Sequence, residues 1–78
     1  MLRQGSKSVY VLILQDELNT LGFRTGGLDG AFGPTTRSAV TSYQSSRRLT
    51  SDGIVGCRTW EALQHETVGT GRSSTTLD

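Results

Sequence analysis

Cys57 and His65 are the residues whose types could support catalysis, with a thiolate as nucleophile and an imidazole as its base. They lie eight positions apart in a predicted helix, which separates them by about 12 Å at a rise of about 1.5 Å per residue. That distance is too long for the hydrogen bond that activates a nucleophile. His65 is the only histidine, so the chain has no His-rich zinc site and no HExxH motif. We therefore predict no catalytic residue, no metal and no cofactor.

The carboxylates of Asp29 and Asp52 belong to a motif that occurs twice. DGAFGPTTRSAV, at residues 29–40, recurs as DGIVGCRTWEAL, at residues 52–63, with a shift of 23 positions. Asp-Gly is typical of a turn, because Asp accepts hydrogen bonds from the backbone ahead of it and Gly takes positive φ without penalty. We interpret four residues as structural turn residues and not as a general acid and base, namely Asp29, Gly30, Asp52 and Gly53.

Apolar spacing and helix-breaking residues predict three helices that end or begin at glycine-rich turns. Their expected bounds are about residues 8–21, 34 to 46 or 47, and 57–65. Gly22 is the expected stop of the first helix. The predicted fold class is all-α, a small three-helix bundle with two repeated turn-helix units of the form DGxxGxxTxxA. The residues predicted to be buried are Val11, Leu14, Leu18, Leu21, Phe32, Thr36, Ala39, Val40, Tyr43, Val55, Thr59, Ala62 and Leu63.

The length and the charge limit the class of protein. The 78 residues suffice for one domain, expected at residues 1–66, and the Gly-, Ser- and Thr-rich residues 67–78 are expected to form a flexible linker or tail. We expect the natural protein to continue into another domain beyond Asp78. A net charge of +1 argues against a nucleic-acid partner. No apolar run approaches the roughly 20 residues that span a bilayer, so no membrane partner is expected.

Three motifs in order resemble one family. LQDELNTLGF at residues 14–23, LDGAFGPTTRSAVTSYQ at residues 28–44 and LxxDGIVGCRTWEAL at residues 49–63 are similar to the peptidoglycan-binding domain of bacterial and phage cell-wall hydrolases. The resemblance implies a noncatalytic module that targets a linked hydrolase to its substrate. The implied partners are peptidoglycan, through its glycan or its stem peptide, and a covalently linked catalytic domain. The resemblance also implies a monomer in the cell wall, the periplasm or the secreted fraction, with any export signal outside this fragment.

The candidate ligand-binding residues follow from the chemistry of peptidoglycan. Sugar rings are met by aromatic faces, carboxylates by arginines near helix N-termini, and amides by glutamine side chains. A groove is expected where the two turns meet their helices. The predicted ligand-binding residues are Tyr43, Trp60, Gln44, Gln15, Arg37, Arg58, Gly33 and Gly56. Phe23 is a further aromatic candidate for which a place in the core is favoured.

Two departures from the family pattern leave alternatives open. Cys57 stands where the family most often has Pro, and Tyr10, Leu12 and Ile13 stand where polar or charged residues are usual. The three apolar side chains are expected to thicken the edge of the core. The alternative is that they form a docking surface for a neighbouring domain or a second copy of the chain. Such a surface would support a second possible function, that of a regulatory domain that docks on a partner enzyme without binding the wall. A three-helix nucleic-acid binder is a third alternative, against which the charge argues.

Overall fold

The computed structural model describes the backbone of residues 1–71 and the side chains of residues 1–66. Three helices follow one another, α1 at Val9–Thr20, α2 at Pro34–Ser46 and α3 at Cys57–Gly71. The part of the chain that is described contains two isolated antiparallel bridges, Leu2 with Val55 and Lys7 with Ala31, and no longer strand. The predicted all-α, three-helix fold class is confirmed.

The predicted end of the third helix at His65 is wrong, because α3 continues to Gly71. The residues after His65 include no proline, and each further residue in a helix adds a backbone hydrogen bond, while a glycine costs only about 1 kcal/mol. Residues 72–78 of the predicted tail lie outside the described residues. The domain boundary after residue 66 stays a prediction.

α1 and α2 end in the same backbone motif. After α1, Phe23 N–H donates to Leu18 O at 2.8 Å and Gly22 N–H donates to Asn19 O at 3.1 Å, with Gly22 at φ +95°. This pair of bonds is a Schellman motif, in which the residue after the cap takes left-handed geometry. The predicted stop at Gly22 is therefore confirmed.

The end of α2 has a non-glycine residue in the left-handed position. Leu49 N–H donates to Gln44 O at 2.8 Å and Arg48 N–H donates to Ser45 O at 3.2 Å, with Arg48 at φ +61°. A side chain in this geometry is strained because its Cβ approaches the neighbouring carbonyl oxygen. The helix nevertheless ends at Ser46, as its sequence predicts.

The core lies between the three helices and both turns. The residues that the sequence predicts to be buried are buried, except Leu21 and Ala62, which are half-buried at the edge of the core. The buried apolar side chains are Val11, Leu14, Leu18, Phe32, Ala39, Val40, Tyr43, Val55 and Leu63. Phe23 is half-buried and meets Tyr43 edge-on, with ring centroids 5.5 Å apart, which places it in the core.

A cluster of polar groups joins the end of α2 to the middle of α3. Tyr43 Oη donates to Glu66 Oε2 at 2.5 Å, and the Arg47 guanidinium donates to both Glu66 oxygens at 2.5 and 2.6 Å. The Arg47 guanidinium also lies 5.0 Å from the centroid of the Tyr43 ring and 5.8 Å from that of Phe23, within the range of a cation–π contact. Burial and the hydrogen bond to Glu66 raise the pKa of Tyr43. The cluster anchors α3 beyond its predicted end.

Candidate functional site

The first Asp-Gly turn is held by the side-chain amide of Gln15 from α1. Gln15 Nε2 lies 3.0 Å from Asp29 Oδ1, 3.1 Å from Ala31 O and 3.1 Å from Thr36 Oγ1. Gln15 Oε1 accepts from Gly30 N–H at 3.0 Å. One buried amide therefore connects α1, the turn and the first turn of α2.

The second Asp-Gly turn has the same contacts, supplied by Gln44 from α2. Gln44 Nε2 lies 3.1 Å from Asp52 Oδ1, 2.9 Å from Ile54 O and 3.1 Å from Thr59 Oγ1. Gln44 Oε1 accepts from Gly53 N–H at 3.0 Å. Each glutamine thus lies on the helix before its turn and bonds a threonine on the helix after it.

The burial of the glutamines corrects their predicted role. Gln15 and Gln44 are each 1% exposed, and their amide oxygens and nitrogens are occupied by the turns. The prediction that they present amides to a ligand is wrong, because no polar atom of either side chain is left for one. The position of the glutamines in the sequence indicates their burial. Each glutamine directly follows a core residue, Leu14 or Tyr43, on the helix that precedes an Asp-Gly turn.

The two aspartates act as the predicted turn residues. Asp29 Oδ1 accepts from Ala31 N–H at 3.0 Å, and Asp52 Oδ1 accepts from Ile54 N–H at 2.9 Å. These backbone bonds hold the pKa of each carboxyl below its ordinary value. The bond from Gln15 lowers the pKa of Asp29 further, and burial partly offsets the lowering for both carboxyls. A carboxylate that stays ionised and holds a turn is a poor general acid.

Each turn leaves a groove where the next helix begins. The turn-1 groove has a volume of about 310 Å³ and is lined by Gln15, Thr25, Gly26, Gly27, Asp29, Ala31, Gly33, Pro34, Thr35 and Thr36. The turn-2 groove has a volume of about 410 Å³ and is lined by Met1, Gln44, Arg48, Leu49, Thr50, Asp52, Ile54, Gly56, Cys57, Arg58 and Thr59. The predicted location of a groove at the turn-helix junctions agrees with both.

The glycines at the two junctions leave the grooves open. Gly33 lies in the turn-1 groove and Gly56 in the turn-2 groove, and neither has positive φ. A Cβ added to either would meet no heavy atom within 4 Å. Glycine at these positions is therefore not required by the backbone or by packing, and a larger side chain would project into the groove.

The two arginines predicted to bind a ligand occupy different surroundings. Arg58 is exposed in the turn-2 groove. The only ion pair among the side chains of residues 1–66 joins Arg47 to Glu66, so no carboxylate of this part of the chain forms an ion pair with Arg58. Arg37 lies outside both turn grooves. Its side chain covers the second turn, since a Cβ on Gly53 would lie 2.8 Å from Arg37 Nε. Of these two, Arg58 is the one in position to meet a ligand in a turn groove.

The two aromatic residues that were predicted to bind a ligand, Tyr43 and Trp60, differ in their burial. Tyr43 is fully buried with its hydroxyl bonded to Glu66, so the prediction that its ring stacks on a sugar is wrong. Trp60 is half-buried against the core and lines a third depression of about 300 Å³. We call this depression the aromatic groove; it is lined by Met1, Leu2, Tyr10, Val55, Gly56, Cys57 and Trp60.

The apolar side chains at the start of α1 do not thicken the edge of the core. Tyr10 is 60% exposed, and Leu12 and Ile13 are 37% and 40% exposed. The expectation that they pack at the core edge is therefore wrong. The reason is their position on the helix, because Val11, Leu14 and Leu18 already form the inward stripe and these residues lie beside it.

The model of the Putative peptidoglycan binding domain family matches residues 8–63 of the chain. The chain belongs to this family.

Relatives within the peptidoglycan-binding family include larger proteins. The chain is 47% identical over 53 residues to the N-acetylmuramoyl-L-alanine amidase CwlM of Mycobacterium tuberculosis, which covers 68% of the chain and 13% of the amidase. It is 35% identical over 63 residues to the spore cortex-lytic enzyme of Bacillus cereus, and the matching region covers 81% of the chain and 24% of that enzyme. The chain thus spans a small part of the length of these two relatives.

A solved crystal structure has the same fold. The crystal structure of the SleB N-terminal domain matches with a TM-score of 0.82 and 35% sequence identity, over 85% of this chain and 90% of that one. The matching family is described as a binding domain, and in the amidase the matching region is a small part of a longer protein. Among the described helices, none combines the length and the apolar character needed to cross a membrane.

Proposed function

We propose that the chain is a noncatalytic module that binds peptidoglycan and holds a linked cell-wall hydrolase at its substrate. The observation that carries the proposal is the family match over residues 8–63, together with relatives in which this domain is a small part of a longer enzyme. Retention at an insoluble polymer supplies proximity, which raises the rate of the linked reaction without any chemistry in the module itself. The linked catalytic domain and an extracytoplasmic location are parts of this proposal.

The binding face that we propose surrounds the start of α3. Gly56 and Cys57 line both the turn-2 groove and the aromatic groove, so the two depressions meet there. The turn-2 side presents the arginines, Arg48 and Arg58, which suit the carboxylates of a stem peptide. The aromatic side presents Trp60, which suits the apolar face of a sugar ring. Both chemical handles of peptidoglycan therefore have a counterpart on one surface.

The turn-1 groove, with Gly33, is the matching position on the other turn. It is smaller than the turn-2 groove, at about 310 against 410 Å³, and no arginine lines it. None of the described residues that line it is aromatic. We assign the main contact with the wall to the face around α3, where one monomer is sufficient for binding.

Co-sedimentation with insoluble purified peptidoglycan tests this proposal. The parent chain is expected to leave the supernatant. Gly56→Leu adds a side chain where the two grooves meet and should weaken binding by about tenfold, a loss of about 1.4 kcal/mol. Arg58→Ala should weaken it less, by about threefold, because it removes one solvent-exposed charge-assisted contact.

Gly33→Leu is the matched control, since it places the same side chain at the same junction of the other turn. It should bind within about twofold of the parent, and circular dichroism should show that all variants stay folded. A parent chain that stays in the supernatant would contradict the proposed function. Equal losses from the Gly33 and Gly56 variants would contradict the assignment of the binding face.

A further inference from the structure

We infer that Tyr10 and Trp60 form a subsite for one N-acetylhexosamine ring of the glycan strand, in the aromatic groove. The inference rests on the proposed function and specifies which part of the wall this groove contacts. Tyr10 was not among the predicted ligand-binding residues, and the structure places it on the same depression as Trp60.

Tyr10 has no structural role that explains an aromatic side chain. It is 60% exposed and lies outside the apolar core, and its hydroxyl has no hydrogen-bond partner among the described residues. A single exposed apolar residue is ordinary on a protein surface. Tyr10 differs because it lines a concave apolar surface together with a second aromatic ring.

The Trp60 side of the groove and the Leu2–Val55 backbone that lines it are held in place by the fold. Trp60 packs against the core on one side, which restricts its ring, and its backbone N–H donates to Gly56 O at 3.0 Å at the start of α3. The groove floor is fixed by the bridge between Leu2 and Val55, whose two backbone bonds measure 3.0 and 2.7 Å. A site of fixed shape binds a ligand with a smaller loss of conformational entropy.

The chemistry of the groove favours the sugar over the stem peptide. No charged side chain of the described residues lines it and its one ionic group is the α-amino group of Met1, whereas the adjoining turn-2 groove has the side chains of Arg48 and Arg58. A neutral N-acetylhexosamine offers C–H faces to the two rings and an acetamido methyl to Leu2 and Val55. The free Tyr10 hydroxyl can bond a sugar hydroxyl at the rim.

The size of the groove favours a single sugar residue over a protein partner. Its volume of about 300 Å³ lies at the lower end of the range for small-molecule sites, roughly 300–1,000 Å³. A stable protein interface covers about 800 Å² and about 20–30 residues on each partner, whereas seven of the described residues line this depression. A sugar ring of a polymer needs no larger surface, because neighbouring units of the wall can engage neighbouring modules.

A fluorescence titration with a trimer of N-acetylglucosamine tests the subsite without any stem peptide. Trp60 is the only tryptophan, so its emission reports on this groove directly. We expect a saturable change in emission for the parent chain of residues 1–78. Tyr10→Ala should weaken the affinity by about tenfold, through loss of one stacked ring, and Tyr10→Phe should stay within about twofold.

Leu28→Ala is the matched surface control, since Leu28 is 52% exposed and lines none of the three grooves. It should bind the trimer as the parent does. Thermal unfolding of each variant should match the parent, because Tyr10 and Leu28 are exposed and outside the core.

Co-sedimentation with peptidoglycan on the same preparations separates the possible failures. If the parent sediments with the wall but does not bind the trimer, or if Tyr10→Ala binds the trimer like the parent, the subsite is wrong and the proposed function stands. If the parent does not sediment with the wall, the proposed function fails and this inference fails with it. If Tyr10→Ala changes only self-association, measured by sedimentation equilibrium, the surface is a contact between copies and the subsite is wrong.

Discussion

Gln44 Nε2 lies 3.1 Å from Thr59 Oγ1, and this buried contact joins α2 to α3 beneath the second turn. Gln15 makes the same contact with Thr36 at 3.1 Å, and it joins α1 to α2 beneath the first turn. In each case the amide also holds the carboxylate and the backbone of the Asp-Gly turn. The grooves at the turn-helix junctions therefore depend on two buried amides that do not themselves face a ligand.

Gln44→Met should destabilise the fold strongly while keeping the volume of the side chain. The substitution leaves the Gly53 N–H, which is buried, without its acceptor and removes the donor to Asp52 and Thr59. We expect a loss of about 3 kcal/mol, since each buried group left without a partner costs about 1–3 kcal/mol. Urea unfolding followed by circular dichroism measures this loss. A loss below about 1 kcal/mol would show that the amide does not support the turn.

Arg48→Gly should stabilise the protein. Arg48 occupies the left-handed position after α2 at φ +61°, which glycine adopts without a Cβ clash. The expected gain is about 0.5–1 kcal/mol, with part of the relieved strain offset by the greater freedom of glycine in the unfolded chain. Gly22→Ala is the reverse change at the matching position of α1, where the surroundings are open, and it should cost about 1 kcal/mol. A lower free energy of unfolding for Arg48→Gly, or a higher one for Gly22→Ala, would contradict left-handed backbone geometry at these two positions.

Gly53→Ala should be coupled to Arg37. Gly53 has φ +75°, and an added Cβ would lie 2.8 Å from Arg37 Nε and 3.1 Å from Arg37 Cγ. The backbone conformation alone should cost about 1–2 kcal/mol, and displacement of the arginine should add to that. In an Arg37→Ala background the same glycine substitution should cost less, and a double-mutant cycle measures the difference. Additive losses would show that the arginine moves aside freely.

Stability should fall in acid because three carboxylates are held ionised by the fold. Hydrogen bonds from Arg47 lower the pKa of Glu66 below its ordinary value of 4.5, and backbone bonds lower the pKa of Asp29 and Asp52. A lowered pKa in the folded state contributes stability above the ordinary value, and this stability is lost as the pH falls through the folded value. The unfolding midpoint in urea should therefore decrease from about pH 5 downwards.

Glu66→Gln isolates one of these carboxylates. It removes the charge that pairs with Arg47 and leaves the two turn aspartates in place. The variant should be less stable than the parent at pH 7, and its stability should depend less steeply on pH in the acid range. An acid dependence equal to that of the parent would show that Glu66 is not protonated differently in the folded and unfolded states.

Much of the fold follows from local patterns. The stripe of Val11, Leu14 and Leu18 predicts the inner face of α1, and Gly22 predicts its end. Pro34 predicts the start of α2, since it fits the first turn of a helix. These signals act over a few residues, so the sequence carries them directly.

The site could be predicted less well because side-chain roles depend on distant contacts. Gln44 and Tyr43 have types that suit ligand binding, but their partners, Asp52 and Glu66, lie 8 and 23 positions away and take up their polar atoms. Tyr10 suits the core by type and is exposed by its angle on the helix. Only the packed structure decides which amides and rings are left for a ligand.

The most direct test of the central claim is the binding isotherm of the unmodified chain on purified peptidoglycan, with cellulose as the control polymer. Protein remaining in the supernatant is measured at increasing amounts of each polymer. The proposed function predicts saturable depletion by peptidoglycan and no depletion by cellulose. A folded chain that stays in the supernatant with both polymers, or sediments equally with both, would contradict a role as a peptidoglycan-binding module.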